Sequence, residues 1–316
     1  MKAYYSTDYG GPEKSKYGNF PDPRPGPDQL LIEIKAVSLN PVDYKKMRGA
    51  NRPYEISDFP RIFGTDYSGI VSETGNNVKG FIPGDWVYGM VRGMTRLQGT
   101  LAELAVADES MARKIPEGIS FEDAASLPVA ALTALAGARN CMVTPGKEVL
   151  VNGATGGVGH FAIQVAKSRG GIVTAICSPE NSGLARLLGA VAAFGYRPEE
   201  LSRLNSMFDA IIDAYGIMDS ESVLRLIRPD GTYATTLPGR SGILGKYPSH
   251  RINGITLTDS NLRNLPEDYS EIENLVLGKK IHPVIENIFP LEKSSEAFRV
   301  AEFGKPRGKV IVRVPD

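Results

Sequence analysis

Residues Val149–Lys167 read V-L-V-N-G-A-T-G-G-V-G-H-F-A-I-Q-V-A-K. A β-branched apolar run (Val149, Leu150, Val151) meets a glycine cluster (Gly153, Gly156, Gly157, Gly159), and an amphipathic pattern follows (Val158, Ala162, Ile163, Val165, Ala166). The order predicts strand, tight turn and helix, the entry to a βαβ unit. Glycine suits such a turn because it adopts unusual dihedrals and lets the backbone approach a phosphate. The first N–H groups of the helix then face an anion at the favourable end of the helix dipole.

Against the dinucleotide template G-x-G-x-x-G the register is Ala154-x-Gly156-x-x-Gly159, with alanine at the first glycine. Alone, the match is equally that of an ordinary glycine-rich turn. The strand before it, the helix after it and the βα signals that follow favour the dinucleotide reading. Those signals are strands at 172–176, 208–213 and 232–236 and helices at 182–188 and 220–227. Strands alternating with helices imply a parallel sheet covered on both faces.

Upstream, residues 1 to about 121 are rich in Gly and Pro and carry period-2 segments. Leu30, Ile32 and Ile34 alternate with Leu31, Glu33 and Lys35, and Trp86-Val87-Tyr88 follows the turn Pro83-Gly84-Asp85. This predicts a mostly β domain ahead of the glycine loop. Short-chain dehydrogenases are disfavoured, because their glycine loop lies near the start. Their Tyr-x-x-x-Lys pair is missing too: no tyrosine here has a lysine four residues later. Ser120 and Asp123 form an N-cap pair for a buried helix that runs on through Pro128. The tail is read as a helix at 268–277, an apolar run at 281–288, a helix at 291–303 and a strand at 309–314.

The length of 316 residues suggests about two domains. Formal net charge is zero, from 36 basic and 36 acidic residues, and there is no basic block, which argues against a nucleic-acid partner. Cys141 and Cys177, far apart, make no disulfide framework and fit a reducing compartment. The N-terminus has no apolar signal region, and the uncharged stretch 124–138, which contains Pro128, is shorter than a membrane span of about 20 residues. A soluble, cytoplasmic protein with no membrane partner is expected.

Six motifs in order carry a resemblance. They are N-P-V-D (Asn40–Asp43), G-T-D-Y-S-G (Gly64–Gly69), P-G-D-x-V (Pro83–Val87), A-A-S-L-P-V-A-A-L-T-A (Ala124–Ala134), N-G-A-T-G-G-V-G and R-G-K-V-I-V (Arg307–Val312). Together they resemble the zinc-independent, zeta-crystallin-like quinone oxidoreductase branch of the medium-chain dehydrogenase/reductase superfamily, close to the plant alkenal and enone oxidoreductases. The resemblance implies an α/β protein: a Rossmann doubly wound parallel sheet at 122–257 and a GroES-like, mostly β catalytic domain from 1–121 with 258–316. The active site is expected in the cleft between them, and by analogy the protein is a homodimer.

The zinc-ligand positions of the superfamily correspond to Asn40, Thr65 and Val129, none of them a zinc ligand, and the four-cysteine lobe is missing. No metal is expected. His160, in the first turn of the glycine-loop helix, is read as a packed surface histidine and not as a catalyst.

The coenzyme contacts implied are Ala154, Thr155, Gly156, Gly157 and Val158 of the turn, with Thr133, Ser178, Arg186, Tyr196 and Lys309. The strand preceding Ser178 ends Ala175-Ile176-Cys177-Ser178, without the acid that would hold the ribose of NAD. A hydroxyl can donate to a 2′-phosphate, so NADPH is expected. Where relatives carry a basic residue, however, this chain has Glu180 and Asn181. Arg186 is either a cation for that phosphate or part of a solvated helix face. Thr133 either fixes the nicotinamide or bonds back to its own helix.

For the chemistry, Lys45 of N-P-V-D-Y-K is the candidate to hold a substrate carbonyl, against the alternative of one surface charge beside Lys46 and Arg48. Asn40 is the candidate to bond the nicotinamide ribose or the substrate, whereas Asp43 and Asp66 look structural. The expected reaction is NADPH-dependent reduction of the activated C=C bond of enones and alkenals, with quinones as further acceptors. The rivals are a strict quinone reductase, a coenzyme-binding protein without turnover and a zinc alcohol dehydrogenase. Loops such as Gly93–Gly99 and Gly239–Pro248 are expected to shape the substrate pocket.

Overall fold

The computed structural model describes all residues except 51–58, 92–98, 205–206, 238–248, 253 and 316. Most of both loops expected to shape the pocket, 93–98 and 239–248, thus lies outside the described residues.

The chain begins with β1 (Lys2–Ser6), β2 (Ser15–Asn19), β3 (Gln29–Ser38), α1 (Pro41–Met47), β4 (Arg61–Ile62), β5 (Asp66–Thr74), β6 (Trp86–Met90), β7 (Leu104–Asp108), β8 (Ala112–Lys114) and α2 (Phe121–Ser126). It continues with α3 (Pro128–Asn140), β9 (Glu148–Asn152), α4 (Gly159–Ser168), β10 (Ile172–Ile176), α5 (Ser182–Leu188), β11 (Ala192–Phe194), α6 (Pro198–Leu201), β12 (Phe208–Asp213), α7 (Ser220–Leu226), β13 (Ile227–Thr235), β14 (Ser249–Ile252), β15 (Ile255–Asp259) and α8 (Pro266–Leu277). It closes with β16 (Ile285–Pro290), α9 (Ser294–Phe303) and β17 (Lys309–Arg313).

Two compact units result: 1–129 with 285–316, and 130–284. In the first, β17 pairs antiparallel with β3, so both ends of the chain share one sheet, ordered β16-β17-β3-β5-β6-β8 with β7 also on β3. The alternation read in the sequence is realised there: Leu30, Ile32 and Ile34 are fully buried and join Tyr67, Val87, Val310 and Val312 in the core.

In the second unit the sheet order is β11-β10-β9-β12-β13-β15-β14. All neighbours are parallel except the edge strand β14, which runs antiparallel to β15 and was not foreseen. Numbered from β9, the parallel strands run 3-2-1-4-5-6, the doubly wound order. Its direction of winding reverses between β9 and β12, so right-handed crossovers cover both faces. Among the described residues no helix is long and apolar enough to cross a membrane.

Two details depart from the sequence expectations. The helix expected through Pro128 is broken into α2 and α3, because proline has no N–H to continue the ladder. Residues 258–284, expected with the terminal segments, cluster with the central unit. There Arg139 of α3 pairs with Asp268 and Glu271 of α8, Arg169 pairs with the same Glu271 at 2.5 Å, and Gln164 donates to the His282 carbonyl at 2.9 Å.

Candidate active site

In the central unit three glycines of the turn after β9 do different work. Gly153 takes the left-handed φ of +71°, and a Cβ there would fall 2.8 Å from the Tyr215 Cβ. At Gly159 a Cβ would fall 2.0 Å from the Gly153 carbonyl oxygen, so its absence lets α4 close onto the turn. At Gly156 a Cβ would meet only that same oxygen, at 3.4 Å, with open space beyond. The left-handed residue is therefore Gly153 and not the following one. Ala154, fully buried with its N–H donating to the Ile176 carbonyl, fills the template's first glycine position without strain. Thr155 is 5% exposed, whereas Gly156, Gly157 and Val158 are partly exposed ahead of the first turn of α4.

Ser178 follows β10, partly exposed, and its carbonyl accepts from the Asn181 amide at 2.9 Å. Tyr196 follows β11. Burial raises its phenol pKa, helped by Cys177, Tyr215 and Asp213 and opposed by a hydrogen bond with the Gly153 backbone, so it stays a neutral hydroxyl. Arg186 is not brought to Ser178. Its guanidinium donates to the Val191 carbonyl at 2.9 Å, and Val191 lies level with Val173 at the start of β10. At about 3.3 Å per residue that is roughly 15 Å from the other end of the strand. The expectation of Arg186 as a phosphate cation is corrected accordingly: in this geometry it ties α5 to the entry of β11. Thr133 lies on α3, 8% exposed. His160, expected at the surface, is instead fully buried, with Nδ1 2.9 Å from the Gly156 carbonyl, a packed residue that helps shape the turn.

Asp213, at the end of β12, is a site residue that sequence reasoning missed. Fully buried, it accepts from Asn152 Nδ2 (2.7 Å), Gly216 N (2.8 Å), Met218 N (2.9 Å) and the Tyr233 hydroxyl (2.9 Å). One carboxylate thereby fixes the loop after β12 against the turn after β9. The signal available was an acid closing an otherwise apolar strand, F-D-A-I-I-D.

In the terminal unit, Asn40, Asp43, Asp66 and Lys309 are each at most 2% exposed and form one network. Lys309 Nζ donates to Asn40 Oδ1 at 2.5 Å; Asn40 Nδ2 donates to Asp66 Oδ2 at 2.8 Å and to the Ser38 carbonyl at 3.1 Å. Asn40 N and Thr65 Oγ1 donate to the two oxygens of Asp43, at 2.8 and 2.7 Å. The Val129 amide, freed by the break at Pro128, donates to Asp66 at 3.2 Å. Burial pushes the Asp66 carboxyl up to about 7, with Lys309 and Asn40 opposing and Asp43 adding. Burial likewise raises Asp43 and lowers Lys309.

This corner has two consequences. With two carboxylates facing one ammonium it offers no net positive charge, so it cannot serve as the electrophile for a substrate oxygen. Both N–H bonds of the Asn40 amide are also spent inside the network, which leaves it a positioning residue with at most one acceptor lone pair to spare. Lys309, expected among the coenzyme contacts, is buried beneath Asn40.

The cations of α1 remain. Arg48 makes a bidentate pair with Glu302 (2.6 and 2.8 Å) and lies over the Phe303 ring, tying α1 to α9. Lys45, half-buried, stands on a seven-residue helix held by the carboxylate network at its start and by Arg48 at its end. A helix so short depends on such clamps.

Comparison with known proteins gives the lineage. The model of the alcohol dehydrogenase GroES-like domain matches residues 26–117, and that of the zinc-binding dehydrogenase matches 188–312. The chloroplast envelope quinone oxidoreductase homolog of Arabidopsis thaliana is 32% identical over 98% of this chain and 96% of its own length. The NADPH-dependent alkenal/one oxidoreductase of the same plant is 33% identical over 99% of this chain and 79% of its own. The solved quinone oxidoreductase of Coxiella burnetii superposes with a TM-score of 0.88 at 29% identity, covering 100% of this chain and 99% of that one.

The second family model implies zinc, and the residues here do not fit it. Zinc requires thiolate, imidazole or carboxylate donors. Asn40, Thr65 and Val129 supply an amide, a hydroxyl and a methyl pair, while Asp43 and Asp66 are filled by hydrogen bonds. Among the described residues no group of three or more His, Cys, Asp or Glu could hold a metal ion. A dinucleotide does fit: the open space over Gly156, at the carboxyl end of β9 beside the switch point, is a cradle that a Cβ would fill. The end-to-end likeness, with a parallel sheet wound in this order and a second unit built from both termini, shows that the chain belongs to the quinone oxidoreductase branch of the medium-chain dehydrogenase/reductase superfamily, whose dehydrogenases bind a nicotinamide coenzyme.

Proposed function

We propose that this protein reduces the activated C=C bond of α,β-unsaturated carbonyls, enones and alkenals, with NADPH and without zinc, and that quinones are further acceptors. The observation that carries the reading is the closed Lys309–Asn40–Asp66–Asp43–Thr65 network, which fills the corner where a dehydrogenase would hold its metal and leaves no metal to polarise an alcohol or aldehyde oxygen. The relative named as an alkenal/one oxidoreductase supports the same substrate class.

The bound coenzyme supplies a hydride. The amides of Thr155, Gly157 and Val158 and the first turn of α4 would hold its pyrophosphate, those of Ala154 and Gly156 being engaged by the Ile176 and Gly153 carbonyls. Ser178 donates to the 2′-phosphate, with the neutral Tyr196 hydroxyl beside the same turn. When hydride adds to the β carbon of an enone, negative charge grows on the carbonyl oxygen, and Lys45 is the cation assigned to it. A positioned donor there contributes on the order of 3 kcal/mol. The proton at the α carbon comes from solvent.

The test is a panel of enones, alkenals and quinones assayed with NADPH and NADH, repeated on Lys45→Ala. The proposal expects enone turnover with NADPH, lowered about 100-fold in the variant. Unchanged turnover would remove Lys45 from the mechanism. Oxidation of NADPH by quinones alone would favour a strict quinone reductase, a reading that the Arabidopsis and Coxiella relatives' names support.

A further inference from the structure

We infer that Glu302, in the last turn of α9, is a positioning residue of the reaction: through Arg48 it fixes the end of α1 that carries Lys45. The inference rests on the proposal that Lys45 meets the substrate oxygen. A long flexible side chain reaches such a point reproducibly only if its backbone is held, and a small misplacement of a reacting group is costly in rate. α1 cannot hold itself, because seven residues are too few for a helix to be stable alone in water. Its first turn is bound by the buried Asn40–Asp43 capping box. Lys45 belongs to the other half.

At that end the chain turns at Gly49, which takes a left-handed φ of +82°. The Ala50 amide donates to the Lys45 carbonyl at 2.9 Å and the Gly49 amide to the Lys46 carbonyl at 2.8 Å, the pair of bonds that closes a helix at glycine. The Lys45 backbone is thus part of the cap, and whatever holds the cap holds Lys45. Glu302 takes Nε and Nη2 of the cap residue Arg48 at 2.6 and 2.8 Å, and the guanidinium lies 5.7 Å from the centre of the Phe303 ring. The Gly10 amide donates to the Met47 carbonyl at 3.0 Å, and the bare Gly11 leaves room for the guanidinium, since a Cβ there would fall 3.0 Å from Nη2. Glu302 is the fixed half of the pair. Its side chain is 13% exposed against 42% for Arg48, and α9 is anchored by the fully buried Ala297 and Phe298, with Phe298 stacked on Tyr4. A partly exposed ion pair adds little to stability. Its worth here is geometric, because a bidentate fork sets direction as well as distance.

Glu302→Gln opens the fork with little change of shape. Assayed with a simple enone and NADPH, it is expected to lower kcat and kcat/KM together about 10-fold, with the KM for NADPH and the melting temperature near those of wild type. Arg48→Gln opens the same fork from the other side and is expected to lose the same factor. In a Lys45→Ala background, Glu302→Gln is expected to change kcat/KM by less than about 2-fold, because the group it positions is gone. Glu286→Gln breaks the Arg307–Glu286 pair, which lies outside α1, and is expected to keep the wild-type kcat. Wild-type kcat in Glu302→Gln, or an equal loss with and without Lys45, overturns the inference while the role of Lys45 stands. Wild-type turnover in Lys45→Ala itself overturns both.

Discussion

Substituting alanine at Gly156 and at Gly159, three residues apart in one turn, is expected to damage the protein in opposite ways. Neither glycine takes a left-handed φ, so both changes are free of backbone strain. At Gly156 the new methyl meets only the Gly153 carbonyl, at 3.4 Å. Reduced freedom of the unfolded chain should then stabilise the coenzyme-free protein by about 0.4–1 kcal/mol, a rise in melting temperature of roughly 1–4 °C. The same methyl stands in the cradle, however. Displacing one charge-assisted amide–phosphate bond costs about 1.5–3 kcal/mol, or roughly 10- to 150-fold in NADPH affinity.

At Gly159 the methyl falls 2.0 Å from the Gly153 oxygen, 2.7 Å from its carbonyl carbon and 2.8 Å from that of Ala154. Backbone cannot swing aside, so α4 must lift from the turn. Overpacking of this kind costs about 1–3 kcal/mol, offset in part by alanine's helix propensity of about 1 kcal/mol over glycine. A net fall of several degrees is expected. Thermal unfolding without coenzyme and fluorescence titration with NADPH read the two effects separately. Wild-type affinity in Gly156→Ala would refute the argument, because the turn would then not be the phosphate cradle.

Other outcomes follow from the two units. Ser178→Asp places a carboxylate where the 2′-phosphate is held, and the preference for NADPH over NADH, measured as a ratio of kcat/KM, should fall about 10- to 150-fold; an unchanged ratio would show that the phosphate lies elsewhere. Above pH 7, where Asp66 as well as Asp43 is ionised, Lys309→Met strands two buried carboxylates and should cost about 3–5 kcal/mol in denaturant unfolding, most of it regained in the double variant with Asp66→Asn; equal stability of the two variants would mean that the ammonium and Asp66 are not coupled. The raised Asp66 pKa gives a signed pH dependence. Its native state holds a proton up to about pH 7 that the unfolded state releases near 3.8, so stability from this group is full below 3.8 and lost as pH rises through 7. Melting curves between these values should show wild type losing stability relative to Asp66→Asn as pH rises; parallel curves would contradict the assignment.

Much of the central unit was legible because its signals are local. The run V-L-V-N-G-A-T-G-G-V-G sets strand, turn and helix within a few residues, and the later strands repeat the apolar pattern. The template's missing glycine was harmless because the left-handed φ falls on Gly153, one residue earlier than the template alone would place it. The buried corner was legible only in part: the resemblance grouped Asn40, Thr65 and Val129, and Asp43 and Asp66 read as structural, but the pairing with Lys309 did not show. Its members, at positions 40, 43, 65, 66, 129 and 309, come together only when β17 pairs with β3 and when Pro128 breaks the helix. A lone lysine opening K-V-I-V-R looks like an ordinary strand end. Arg186 misled for the opposite reason: its sequence distance from Ser178 is short, but α5 carries it toward the other end of the strand, where it donates to the Val191 carbonyl. Asp213 escaped notice because its value depends on the turn sixty residues earlier.

The most direct measurement is the fate of the transferred hydride. NADPH deuterated at both C4 positions, incubated with the protein and a simple enone, should yield the saturated ketone with deuterium at the β carbon, as read by NMR and mass spectrometry. Deuterium on the carbonyl carbon of an allylic alcohol would be the signature of alcohol-dehydrogenase chemistry and would contradict the account.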